Sequence, residues 1–231
     1  VSFRRTHQGI ETIRYLTAGT YVLAAIHKLN TDFFNPDISC ANHALDGIAK
    51  HWSFLDLSFM ASDYLPHVVV SIELAIAILI LRRSLMVWPL GFLFHIPLTV
   101  TLAPAFGAVM FAGYAACLTA QQWACLRTVW RRYPWIICGL GLLGLGLDIT
   151  LQRGFTPCFA WVQVGLGVML TSLMVLVYFH MSPRTAQKTM NAATSPWPII
   201  VGLAWLCHGM TPYLGLQYQH TAAMLSNLRI D

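Results

Sequence analysis

A lysine, a glutamate and two histidines stand inside stretches of sequence that are otherwise apolar. Lys28 closes the run from Thr17 to Leu29, Glu73 lies within 65–81, His95 within 85–102 and His208 within 197–216. Ionisable side chains are costly in apolar surroundings and are kept there when they face a protein interior or a wet cavity, where they accept, hold or pass a proton. Lys28 carries the most pointed chemistry: an amine at the end of an apolar helix is a base when neutral and an electrostatic anchor when charged. Thr17, Tyr21 and Lys28 are spaced by four and seven residues, which stacks them along one helix face. Lys28 and His95 are therefore the candidate catalytic groups, and Tyr21, Glu73 and His208 the candidates for holding a ligand. Each has a plainer reading beside it. Lys28 can snorkel to the nearby interface. Glu73 can pair with Lys28, which keeps the amine protonated and works against its use as a base. His95 and His208 can serve as hydrogen-bonding links between helices. His43, His51 and His67 show no ligand spacing, and no metal site is expected.

The elements that must position these residues are helices in a bilayer. The chain is 57% hydrophobic and only 10% charged, with a mean hydropathy of +0.61 over 231 residues, too apolar for one soluble domain to enclose. Hydropathy picks out about seven segments near the ~20 residues needed to cross ~30 Å of hydrocarbon: 14–30, 65–81, 85–102, 105–126, 134–150, 157–181 and 197–216. The breaks at Arg82-Arg83 and Pro104 are candidates for tight helical hairpins. The expected fold is thus an all-α integral membrane bundle of about seven transmembrane helices. It forms a single domain over 1–231 and is expected to be the ordered part of a longer chain.

Basic residues collect on alternate connections: Arg4, Arg5 and Arg14, then Arg82 and Arg83, then Arg127, Arg131 and Arg132, then Arg184 and Lys188. The positive-inside rule makes that side, and the N-terminus, cytoplasmic. The formal charge of +5 describes this membrane-facing surface and gives no case for nucleic acid. The opposite side, periplasmic for a bacterial inner-membrane protein, carries the 30–64 connection with Asp32, Asp37, Asp46, Asp56 and Asp63, the loop from Asp148 to Thr156, and the C-terminal tail. Within the 30–64 connection, Ala41, Ala44, Leu45, Ile48 and Trp52 recur at helical spacing, predicting a short amphipathic helix over Cys40–Trp52. Glu73, His95 and His208 then all fall in the outward half of the bundle with Lys28, which predicts a polar cavity open to the outer face.

Other signals are structural. No cleavable signal peptide is evident behind Arg4-Arg5. Cys40 and Cys158 both map to the outer face, where a disulfide is chemically feasible, while Cys117, Cys125, Cys138 and Cys207 read as small packing residues. Trp88, Trp123, Trp130, Trp135, Trp161 and Trp197 suit an interfacial belt. The string Gly139-Leu-Gly141-Leu-Leu-Gly144 matches a dinucleotide fingerprint in letters only, since no strand precedes it. Gly139, Gly141, Gly144 and Gly146 are expected instead to let a neighbouring helix approach closely.

The segment Ala25-Ile-His-Lys28-Leu-Asn-Thr-Asp-Phe-Phe34 resembles the lysine motif of the vitamin K-dependent gamma-carboxylases and of their bacterial relatives, the horizontally transferred transmembrane (HTTM) proteins. In that alignment Lys28 matches the family's catalytic lysine and His27 stands where animal carboxylases have a second lysine. Gly91-Phe-Leu-Phe-His95 with Phe106 and Met110, the tail Thr211-Pro-Tyr-Leu-Gly-Leu216 and Met224-Leu-Ser-Asn-Leu-Arg229 also resemble the bacterial relatives, in the same order. The resemblance implies a reduced quinone of vitamin K type as cofactor. In the carboxylases a neutral lysine deprotonates the hydroquinone, oxygen adds, and the resulting base takes a proton from a glutamyl side chain that captures carbon dioxide. Their active site faces the lumen, matching the outer face assigned here from arginines. The animal enzymes' large lumenal domain and propeptide-binding surface have no counterpart in these residues.

Two functions are therefore expected. One is an outward-facing, quinone-dependent carboxylase- or epoxidase-like enzyme with Lys28 as base and His95 and His208 in support. The other is a noncatalytic accessory subunit packed against other membrane subunits and lipid. A Lys28→Ala variant is expected to lose activity yet stay folded, because a residue near a helix end contributes little packing.

Overall fold

In the computed structural model of the chain, residues 2–35, 37–52, 64–101, 106–151, 158–181 and 196–210 are described. The elements among them are all helical: α1 (Ser2–His27), α2 (Thr31–Phe34), α3 (Cys40–His51), α4 (Leu65–Leu81), α5 (Val87–Thr101), α6 (Phe106–Ala116), α7 (Ala120–Arg132), α8 (Pro134–Leu151), α9 (Cys158–His180) and α10 (Trp197–Gly209).

Helix α1 is the axis of the assembly, packing on α4, α6 and α10, and small residues set its approach to the last two. A Cβ at Gly113 of α6 would lie 2.6 Å from Thr17 Oγ1, and one at Gly209 of α10 would lie 2.6 Å from Leu23 Cδ2. Tyr15 faces Gly202, Gly19 faces Trp205 and Leu206, and Leu23 faces Gly209, so α1 and α10 run parallel. Helix α4 runs antiparallel to α1: Arg14 Nη1 donates to the Leu81 carbonyl at one end and Lys28 reaches Glu73 toward the other. The α8–α9 pair is antiparallel, with Gly141 beside Met169 and Gly165 beside Leu145. Gly141 and Gly144 do admit the neighbouring helix; Gly139 and Gly146 face nothing within 4 Å among the described residues, where the expected four-glycine contact reduces to two.

The α4–α5 connection is a tight hairpin, as the Arg82-Arg83 break suggests. Arg83 takes a left-handed φ of 53°, and the bonds Arg83 N to Ile80 O (3.0 Å) and Ser84 N to Leu79 O (3.0 Å) close the helix end. A side chain in that conformation is strained by roughly 1 to 2 kcal/mol. Its guanidinium offsets this by donating to Glu11 of α1.

The expected span 105–126 is two helices. Thr119 begins α7 as an N-cap whose hydroxyl accepts from Gln122 N (3.2 Å), while Gln122 Oε1 accepts from Thr119 N (2.8 Å). This reciprocal capping box stops the apolar helix α6 at Ala116 and launches a separate one. Hydropathy averaging blurs such a boundary because the apolar residues of α6 and of Trp123–Leu126 outweigh the polar Thr119, Gln121 and Gln122 between them. Helix α7 then meets α8 at a bend of 86°. The amphipathic helix expected over Cys40–Trp52 is found nearly where its periodicity puts it, as α3, capped by Ser39 and burying Ala41, Ala44 and Leu45.

Among the described residues no single helix is long and apolar enough to cross a membrane; only the bent α7–α8 pair reaches that length and composition together. The 11 residues of α6 extend about 16 Å and the 17 of α4 about 26 Å. The tail motifs 211–216 and 224–229, Asp56, Asp63, Arg153, Arg184, Lys188 and the Cys158 side chain of the proposed disulfide lie outside the described residues.

Charged and polar contacts gather at two levels. At one lie Glu11, Arg14 and Arg83, with Gln122 Nε2 donating to the Arg83 carbonyl (3.4 Å) and Tyr133 against His180. At the other lie Lys28 with Glu73, and Asp148 of α8, whose Oδ1 accepts from Trp52 Nε1 (2.8 Å) and bonds His51 Nε2 (3.1 Å). Arg14 and Lys28 are fourteen residues apart on one helix, about 21 Å.

A buried Lys28–Glu73 pair beside a tyrosine–histidine–tyrosine cluster

The local sequence explains where Lys28 sits. Helix α1 ends at His27, and Asn30 fixes the break by doing two things at once: its Nδ2 donates to the His27 carbonyl (2.7 Å) and its Oδ1 accepts from Phe33 N (2.8 Å), capping α2. The ammonium is thereby held at the C-terminal, negative end of a helix. Phe33, buried in a cluster with Ala25, Ala41 and Val70, turns its ring to within 5.8 Å of Nζ.

The Lys28 side chain folds back into the bundle. Nζ donates to the Ala24 carbonyl on its own helix (3.3 Å) and to Glu73 Oε1 (2.8 Å), and only 5% of Lys28 and 4% of Glu73 is exposed. The snorkelling alternative is thus replaced by the ion pair, and the premise that Lys28 contributes little packing fails with it. The other carboxylate oxygen, Glu73 Oε2, is buried and has no hydrogen-bond partner among the described residues. In this pair the atom open to accept a further proton is on the glutamate.

His95 belongs to a second cluster. The Tyr21 hydroxyl is hydrogen-bonded both to His95 Nε2 and to the Tyr114 hydroxyl, with ring centroids 5.7 Å and 6.3 Å from Tyr21. Tyr21 lies seven residues from Arg14 and seven from Lys28, so this cluster sits midway between the two charged levels, deeper than the outer half assigned to His95 from sequence. Two proton arrangements satisfy it: Tyr114 donates to Tyr21 and Tyr21 to His95, or His95 donates to Tyr21 and Tyr21 to Tyr114. Interconverting them passes a proton along the row.

Tyr114 is the member that residue-type reasoning missed, although an aromatic hydroxyl in the apolar run Phe111-Ala-Gly-Tyr-Ala was a visible signal. Its place is cut by Gly91: a Cβ there would fall 2.5 Å from the Tyr114 hydroxyl oxygen. Gly91 and His95, read from sequence as parts of one motif, thus act on the same tyrosine, one by making room and the other through Tyr21. Gly91→Ala is expected to displace Tyr114 and lower stability by about 1 to 3 kcal/mol, measured as a shift in the unfolding transition; a midpoint equal to wild type would show that the row does not depend on this notch.

His208 is placed on α10, half-buried, with its ring 5.8 Å from that of Trp205, whose Nε1 donates to Thr20 of α1 (3.3 Å). It sits at the α1–α10 seam, on a different helix pair from the one holding Lys28 and Glu73. An open groove of about 400 Å³ runs along the flank of α4 beside Leu90 of α5, lined by Tyr64, His67, Val68, Ser71, Ile72 and Ala75; Lys28 is not among its walls. The expected outward cavity joining Lys28, Glu73 and His95 therefore takes the form, among the described residues, of two packed, hydrogen-bonded clusters. Comparison with protein-family models, curated proteins and solved structures found no match to this chain.

Proposed function

We propose that this chain is an integral membrane protein whose Lys28–Glu73 pair and Tyr21–His95–Tyr114 row form a proton-transfer site within the bundle. The observation that carries the reading is the buried pair itself, set with an unpartnered carboxylate oxygen among otherwise apolar helices, where ionisable groups are expensive and are characteristic of proton and substrate pathways. The distribution of side chains supports the same reading: two polar levels about 21 Å apart are separated by exposed apolar side chains, with Leu142 68% and Leu203 55% exposed. In the proposed orientation the Arg14 and Arg83 level is cytoplasmic and Lys28 faces the periplasmic half.

The resemblance of the Lys28 motif to the gamma-carboxylases gives the chemistry its class. A reduced quinone, when bound, supplies an acidic hydroxyl. Glu73 and Lys28 are the residues that would hold it, Glu73 Oε2 as a proton acceptor and the Lys28 ammonium as a positive charge beside it. The test is reduced-quinone oxidation, with and without bicarbonate, by purified protein and its Lys28→Ala and Glu73→Gln variants, with small amines added back to the first. Loss in both variants with wild-type turnover is the expected result. Equal turnover in all three, or none in wild type with its native membrane neighbours present, overturns it.

One observation favours the accessory-subunit reading: Lys28 is closed off and paired, and the nearby groove does not reach it. Topology is tested separately. Single cysteines at Arg131 and Asp46, both exposed, are expected to label from opposite sides, with Asp46 reached from outside; labelling of Arg131 from outside inverts the orientation.

A further inference from the structure

We propose that α7 is a headgroup-binding helix, with Arg127 and Arg131 seated on anionic phospholipids of the leaflet at its end of the bundle; the inference rests on the membrane reading above. Helix α7 buries Gln122 and Val129, seven residues apart on one face. At 100° per residue, Trp123 and Trp130 fall together on the adjoining flank, and Arg127 and Arg131 beyond them, away from the buried face. All four are exposed, the tryptophans at 41% and 38%. The 86° bend lays α7 across the end of the bundle instead of along it. A flank of tryptophan beside a flank of arginine matches the boundary between acyl chains and headgroups.

Charge identifies the occupant. No aspartate or glutamate occurs between Glu73 and Asp148 in the chain, and none of the ion pairs among the described residues involves Arg127 or Arg131. Among the described residues, two guanidiniums are left on the surface without a carboxylate. They are complementary to the phosphate and negative charge of an anionic lipid, which a zwitterionic lipid cannot offer without its own opposing ammonium.

The test compares phosphatidylglycerol with phosphatidylcholine, each titrated at equal concentration against detergent-purified protein, with bound lipid counted by native mass spectrometry. Wild type is expected to retain phosphatidylglycerol with roughly tenfold preference. An Arg127→Gln/Arg131→Gln variant, folded by circular dichroism, is expected to lose that preference. Equal retention of the two lipids by wild type, or an undiminished preference in the variant, overturns the inference. Carbonate washing of native membranes separates its failure from that of the membrane reading: protein that stays in the membrane without lipid preference sinks only the headgroup site, whereas protein released by carbonate sinks both.

Discussion

Lys28→Ala is expected to destabilise the protein by about 3 to 5 kcal/mol, because it leaves the Glu73 carboxylate buried, 4% exposed, without its counter-charge. Glu73→Leu alone is expected to cost a similar amount by stranding the ammonium. Replacing both, as Lys28→Met with Glu73→Leu, removes the two desolvated charges together and is expected to recover most of the loss, since a well-packed apolar pair often matches a buried ion pair. Denaturant unfolding of the three variants measures this. Additive losses in the double variant would show that the two side chains act independently. The double variant also isolates chemistry from folding: it is expected to be folded and inactive in the quinone assay, and retained turnover there would reduce the pair to a structural role.

The second large effect is expected at the opposite level. Arg14 is 6% exposed and makes three bonds, from Nε (3.1 Å) and Nη2 (2.5 Å) to Glu11 Oε2 and from Nη1 to the Leu81 carbonyl (2.8 Å). It joins the middle of α1 to the end of α4, and Glu11 passes the link on to Arg83 in the α4–α5 hairpin. Arg14→Met should cost about 3 to 5 kcal/mol by leaving a buried carboxylate underpaired and a helix-end carbonyl exposed to no donor. Arg14→Lys should recover only part, since a single ammonium cannot reproduce a planar fork bonded in two directions. An unfolding transition for Arg14→Met within about 0.5 kcal/mol of wild type, the range of ordinary surface substitutions, would remove this cluster from the account.

Arg14 also shows where sequence reasoning stops. As a basic residue just before an apolar stretch it counts toward the membrane-facing cytoplasmic surface, which is a statement about charge statistics. Its carboxylate partner, Glu11, is local, three residues back on the same helix, but the burial of the pair and its bonds to the Leu81 carbonyl and to Arg83 depend on which helix lies against it, and those residues are more than sixty positions away. Helix α7 was lost for the opposite reason. Thr119 and Gln122 are a local signal that a boundary exists, but an apolar average over 105–126 conceals it.

The sequence by itself determined the helical character, the amphipathic segment at 40–51, the hairpin at Arg82-Arg83 and the short set of ionisable residues in apolar runs. These follow from periodicity, capping and composition, which act over a few residues and need no partner. Tertiary structure alone decided that Lys28 pairs with Glu73, that His95 meets Tyr21 and Tyr114, and that His208 stands at another seam. Those choices are made by helix packing, where Gly91, Gly113 and Gly209 let particular side chains approach. A helix face gives the direction in which a side chain points; only the neighbouring helix decides what it meets there.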